Sequence, residues 1–154
     1  MSKELLEIFI DGAIRYFQHT SDKEVTVGTP YLVENKNPVA YDFTGVIGVS
    51  GSMRGCVYFT APYELLKHLL ISMGERNTHK DNIADMVGEV ANTISGNARS
   101  RLGGDFMISV PVVIEGTPSN IHLPADSRSY VIPVYWKAYS SAVVICFEKD
   151  TSGF

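Results

Sequence analysis

One stretch, residues 81–103, constrains the fold more than any other, because it has the pattern of a single long helix with two unlike faces. Its apolar side chains recur every three or four residues, which is the spacing of a helical stripe that faces a core. The stripe consists of Ile83, Met86, Val87, Val90, Ile94 and Ala98. At about 100° per residue, the opposite side collects four residues within about 60° of one another. These are Asp85, Glu89, Asn92 and Gly96.

The composition of this outer face makes it a candidate functional surface. Exposed helical faces are mostly mixtures of Lys and Glu, whereas this one is short of Lys and includes Asn92 and Gly96. Asn and Gly are both poor helix formers. A helix that accepts their cost on its exposed side has a reason to keep them there.

The size and charge of the chain exclude several classes of function. Its 154 residues fit a single domain, 1–154. A formal net charge of -4 leaves no basic stripe for phosphates, so we expect no nucleic-acid partner. No apolar run is long enough to span a bilayer, and the acidic N-terminus is unlike a signal peptide. We therefore expect a cytoplasmic protein without a membrane partner, in which Cys56 and Cys146 are buried free thiols.

The order of elements along the chain predicts an α+β fold. Two further helices are expected at residues 3–17 and 62–73, on either side of the first group of strands. Strand patterns cover residues 24–34, 41–50, 53–60, 105–115, 130–138 and 142–148. This order predicts a duplicated helix–three-strand unit, with a mostly antiparallel six-stranded sheet packed against three helices. In this register Glu7 corresponds to Glu89, and Ile10 to Asn92.

The pairing of Glu89 with Asn92 has a possible chemical meaning. A carboxamide both donates hydrogen bonds to water and accepts them, so it can hold a water in line with phosphorus. Phosphoryl transfer depends mainly on such positioning. The alternative is an ordinary solvated helix surface, which the Glu-x-x-Asn spacing alone favours. Asp85 could join the pair around an ion, but no His or Cys ligand lies nearby, so we predict no metal site.

Three segments together resemble one protein family. Residues 89–98, EVANTISGNA, resemble the helix motif of the CheX branch of the CheC/CheX/FliY chemotaxis phosphatases. Residues 108–116, ISVPVVIEG, resemble the strand and turn that follow that helix, and residues 48–55, GVSGSMRG, its upstream hairpin. The family pattern is Asp or Ser, then Glu, Asn and a later Pro. It is matched by Asp85, Glu89, Asn92 and Pro111.

The resemblance implies that the chain dephosphorylates a CheY-like response regulator. Asn92 would orient the attacking water on the aspartyl phosphate of the receiver, and Glu89 would contact the receiver's active-site lysine. The Mg²⁺ would belong to the receiver, so this chain would bind no cofactor of its own. Asp85, Gly88 and Gly96 would contact the receiver, with Pro111 supporting the motif. For the two glycines, close packing against a neighbouring element is an equal alternative.

A single Glu-x-x-Asn motif per chain resembles the CheX branch, whose members are homodimers. The resemblance thus implies one active site per chain and a homodimer joined through a strand edge. The alternatives are a non-catalytic module that binds a receiver with the same helix face, and a degenerate family member. The sequence does not distinguish chemotaxis from another two-component pathway.

Overall fold

In the computed structural model, residues 3–20, 24–116, 121, 123 and 128–148 are described, and they form three helices and eight strands. The helices are α1 (Lys3–Thr20), α2 (Tyr63–Ser72) and α3 (Lys80–Leu102). The first four strands are β1 (Val25–Val27), β2 (Tyr31–Glu34), β3 (Phe43–Gly51) and β4 (Gly55–Ala61). The last four are β5 (Phe106–Ile108), β6 (Val112–Glu115), β7 (Arg128–Trp136) and β8 (Tyr139–Phe147).

The strands form one antiparallel sheet whose order is symmetric about its centre. The order is β1-β7-β8-β4-β3-β5, with β2 also paired to β7 and β6 also paired to β3. The last strands of the two halves, β4 and β8, pair with each other in the middle of the sheet. The first strands of each half form an edge of the sheet and pair with a strand of the other half: β1 and β2 pair with β7, and β5 and β6 pair with β3. The predicted α+β fold and its duplicated helix–strand unit are therefore confirmed.

The prediction of six strands was wrong, because each edge position of the sheet holds two short strands. Residues 28–30 separate β1 from β2, and residues 109–111 separate β5 from β6. Each break ends in a proline, Pro30 or Pro111, which has no N–H to donate to a ladder. The chain still follows its neighbour, since Gly28 N donates to Pro133 O and Ser109 N donates to Gly48 O.

The three helices cover one face of the sheet. The central helix, α3, packs on β3 and β4, and α1 lies beside it. The two helices are antiparallel, because Asp11 of α1 pairs with Arg101 of α3 whereas the later residue Tyr16 responds to the charge of the earlier residue Glu89. The core between helices and sheet is rich in fully buried aromatic side chains. They are Phe9, Phe17, Phe59, Phe106 and Trp136. Burial of such rings contributes about 1.5–3 kcal/mol each, which holds the helices firmly on the sheet.

The other face of the sheet carries a smaller apolar cluster. It contains Tyr58, Ile121, Val131, Ala142 and Val144, covered in part by side chains of the segment around Val39 and Tyr41. Cys56 and Cys146 lie on this face as well, because each is two residues away from a member of the cluster, Tyr58 or Val144, in the same strand. Both are free thiols. No helix among the described residues combines the length and the apolar character needed to cross a membrane.

Candidate functional site

The long helix α3 rests on the sheet through its apolar stripe and through a very close backbone contact. All six predicted stripe residues are buried. Where the helix crosses β3, the strand has Gly45, and a Cβ at this position would lie 2.6 Å from the carbonyl oxygen of Val87. Only a residue without a side chain fits at such a distance. The helix is thus fixed directly on a strand, and its outer face is rigidly held.

The outer face of α3 presents the side chains that the sequence singled out. Asp85, Glu89 and Asn92 are all exposed, and each lies about one turn from the next. Gly96 is half-buried, but a Cβ built on it would meet nothing within 4 Å. The predicted shared face is therefore present, with two carboxylates, a carboxamide and a bare stretch of backbone in a row.

Gly88, for which receiver contact and close packing were equal alternatives, lies outside this exposed face of α3. It is buried, and a Cβ there would be 3.2 Å from Val113 Cγ2 and 3.6 Å from Pro111 Cβ. The alternative of close packing against a neighbouring element therefore explains this glycine. Pro111 lies in the break between β5 and β6 and contacts α3 at Gly88, one turn before Asn92.

A shallow groove, which the sequence did not predict, lies beside Asp85 and Glu89. It has a volume of about 300 Å³ and runs between the C-terminal end of α2 and α3. It is lined by Leu70, Met73, Gly74, Glu75, Asn82, Asp85, Met86 and Glu89. Met73 in this groove and the nearby Ile71 are 44% and 54% exposed. The spacing of Met73 continues the stripe of Leu65, Leu66, Leu69 and Leu70 that α2 buries, so helical periodicity predicted a buried side chain; Met73 instead lies just beyond the last residue of α2.

On the side of α1, a buried hydroxyl lies close to Glu89. Tyr16 is 5% exposed. Burial raises the pKa of Tyr16, and the negative charge of Glu89 raises it further, while the neighbouring Thr20 side chain lowers it to a lesser extent. The phenol therefore keeps its proton.

The structure also bears on the question of a metal ion and of a second site. Within residues 3–20, 24–116, 121, 123 and 128–148, no three His, Cys, Asp or Glu side chains converge as an ion would require.

On α1, the counterpart helix, Glu7 is exposed but Ile10 occupies the position that corresponds to Asn92. That helix thus offers a carboxylate without the amide.

Comparisons with known proteins point to one family. The family model of the chemotaxis phosphatase CheX matches residues 43–135. No curated protein matches the chain. Among solved structures, a CheC-like superfamily protein from Shewanella sp. PV-4 has 25% identity and a TM-score of 0.83, covering 97% of this chain and 100% of that one.

Two further structures have a similar fold. The chemotaxis protein CheX from Vibrio vulnificus is 26% identical, with a TM-score of 0.80 over 94% of this chain and 99% of that chain. A complex of CheX, CheY, BeF3 and Mg²⁺ from Borrelia burgdorferi has 22% identity and a TM-score of 0.75, covering 94% of this chain and 98% of that one. The match extends over nearly the whole chain in each case.

Proposed function

Because the chain belongs to the CheX family of chemotaxis phosphatases, we propose that it removes the phosphoryl group from a phosphorylated CheY-like response regulator that docks on α3. The observation that carries the proposal is the exposure of Glu89 and Asn92 on one face of a helix seated directly on the sheet. The complex of CheX with CheY from Borrelia burgdorferi supports a partner of this kind.

The proposed chemical step is the hydrolysis of an acyl phosphate. The oxygen of a water molecule forms a bond to phosphorus, and the bond between phosphorus and the aspartyl carboxylate breaks. The products are the free aspartate, inorganic phosphate and a proton released to solvent. The Asn92 carboxamide accepts a hydrogen bond from this water and donates another to the phosphoryl group, which keeps the water in line with the leaving oxygen.

Docking is proposed to use the groups around Asn92. Glu89 contacts the active-site lysine of the receiver, and Asp85 extends the negative surface by one helical turn. Gly96 lets the receiver approach the helix backbone closely, because the space above it is open. Met73 supplies exposed apolar surface next to the acidic row, which suits the mixed character of a protein interface.

The Mg²⁺ in this proposal belongs to the receiver, where it neutralises charge on the phosphoryl group. The residues of this chain supply the amide and the docking carboxylates only. We also propose that the protein acts in the cytoplasm, where response regulators are phosphorylated, and that it forms a homodimer with one active site per chain.

The test compares wild type with Asn92→Ala and Glu89→Ala on a panel of CheY-like receivers from the same organism. Phosphate release from receivers loaded with an acyl phosphate donor measures turnover. Binding to the stable receiver–BeF3–Mg²⁺ complex measures docking. Asn92→Ala is expected to lower turnover by at least about 100-fold while docking stays nearly unchanged, because the amide positions water. Glu89→Ala is expected to weaken docking about 10-fold, or about 1.4 kcal/mol, and to lower turnover as well.

Two matched controls separate the site from general surface effects. Glu7→Ala removes the corresponding exposed carboxylate of α1, and Thr93→Ala changes the exposed neighbour of Asn92. Neither is expected to alter turnover. If the wild-type chain binds a receiver but leaves its phosphate loss unaccelerated, the protein is a binding module and the proposed hydrolysis is wrong.

A further inference from the structure

The two cysteines are direct neighbours at the centre of the sheet. Cys56 of β4 and Cys146 of β8 are opposite each other in the antiparallel ladder, although they are far apart in sequence. Residues opposite each other have Cα atoms about 4.5–5.5 Å apart, within the range that a disulfide bridges. Their side chains point to the same face of the sheet, away from the helices. The even number of cysteines gave no reason to expect this juxtaposition.

Buried polar side chains converge on the sulfur of Cys146. Asn35 Nδ2 donates a hydrogen bond to Cys146 Sγ at 3.2 Å, and Ser129 Oγ donates to Asn35 Oδ1. Asn35, Ser129 and Cys146 are only 3%, 1% and 3% exposed. Burying an amide and a hydroxyl is costly unless both are hydrogen-bonded. Here one of those bonds is given to a thiol, which is a weak acceptor unless it carries negative charge.

The hydrogen bonds favour ionisation of one sulfur of the pair. A hydrogen bond from Cys56 lowers the pKa of Cys146, with further lowering by Ser129 and Asn35, while burial and the charge of Glu148 act against it. The same bond and burial raise the pKa of Cys56, which therefore keeps its proton. Tyr58, whose pKa is raised mainly by burial, is a further titratable group near the pair, in addition to Glu148. The thiolate, rather than the thiol, is the reactive form of cysteine.

We propose that Cys56 and Cys146 form a dithiol site that a hydroperoxide oxidises to a cross-strand disulfide. The Cys146 thiolate attacks one peroxide oxygen, the O–O bond breaks, and hydroxide leaves with its electrons. The resulting sulfenic acid is attacked by Cys56, which forms the S–S bond and displaces hydroxide. The thiol proton of Cys56 neutralises one hydroxide and solvent the other. For hydrogen peroxide, the two thiols and one peroxide give one disulfide and two waters.

The position of the pair gives the bond a structural consequence. β4 belongs to the first half of the duplicated fold and β8 to the second, so a disulfide between them ties the two halves together. Such a link between distant parts of the chain restricts mainly the unfolded state. The oxidised form should therefore unfold at a higher temperature than the reduced form. The half-buried Cys56 provides the approach for a small oxidant, since Cys146 itself is covered.

The test exposes the reduced wild-type protein to hydrogen peroxide and follows intact mass, free thiols and peptide linkage. Wild type is expected to lose two hydrogens and both thiols, to yield a Cys56–Cys146 linked peptide, and to unfold at a higher temperature until a dithiol reductant reverses the change. Cys56→Ser is expected to gain oxygen on Cys146 instead. Asn35→Ala, which removes a donor to the sulfur, is expected to slow disulfide formation at mildly acidic pH most strongly.

Other results contradict the proposal. If wild type gains oxygen on either cysteine without losing two hydrogens, the sulfurs do not resolve one another. The proposal is also wrong if both thiols survive peroxide that oxidises Cys146 in Cys56→Ser. Oxidation of Asn35→Ala at the wild-type rate would mean that the polar cluster has no part in the reaction. Because these readouts concern thiols alone, they are independent of any phosphatase activity.

Discussion

At the scale of single residues, Gly96 has no conformational reason to be a glycine. It lies inside α3, it is absent from the positions of the chain with positive φ, and a Cβ there would meet no atom within 4 Å. Gly88, eight residues earlier, differs because Val113 and Pro111 occupy the adjacent space. A glycine within a helix costs roughly 0.5–1 kcal/mol relative to alanine. The described residues therefore give no packing reason for the missing side chain at Gly96, and we propose that it serves the contact with the receiver.

Gly96→Ala should separate the stability of the helix from its function. We expect the free energy of unfolding to rise by about 0.5–1 kcal/mol in denaturant titrations, because the open space accepts a methyl group. We also expect weaker binding to the receiver–BeF3–Mg²⁺ complex, because the methyl group would stand where the receiver approaches. A stabilised variant that binds as well as wild type would show that Gly96 is not part of the interface.

At the scale of elements, the position of α3 depends on one glycine of β3. In Gly45→Ala the new Cβ would lie 2.6 Å from a backbone oxygen of α3, and no side-chain rotation can relieve that contact. We expect a loss of about 1–3 kcal/mol of stability, as for other overpacked cores. Turnover should fall as well, since Asn92 moves with the helix. Gly48→Ala in the same strand is the control, because its Cβ would be 3.2 Å from the side-chain oxygen of Ser109 and would not meet α3. Equal losses in both variants would contradict this account.

The same elements show which features could be predicted from the sequence. The stripe of α3 predicted both its buried side and the exposure of Glu89 and Asn92, because helical periodicity is a local property. The burial of Gly88 could not be predicted in this way, since it depends on Pro111, which reaches the helix from another part of the sheet. The pairing of Cys56 with Cys146 likewise depends on the register between two distant strands. The roles of Glu89 and Asn92 stay predictions until turnover is measured.

At the scale of the whole molecule, the symmetric strand order gives the sheet two edges, one formed by β1 and β2 of the first half and the other by β5 and β6 of the second half. The β5–β6 edge carries the more exposed apolar surface, with Val110 80%, Val112 60% and Met107 52% exposed. The β1–β2 edge has Tyr31 and Leu32, at 47% and 46%. Open apolar edges of this kind pair readily with another chain. If the proposed homodimer is joined through an edge, the β5–β6 edge is therefore the better candidate.

Val112→Lys should convert the proposed dimer into a monomer, because a lysine on an edge strand opposes pairing between chains. Leu32→Lys makes the same change on the other edge and should leave the dimer intact. Sedimentation velocity measures both, and a dimer lost only in Leu32→Lys would assign the interface to β1–β2 instead. A monomeric wild type would remove the homodimer from the proposal altogether. Turnover per chain should persist in monomeric Val112→Lys, because Glu89 and Asn92 both lie on α3 of a single chain.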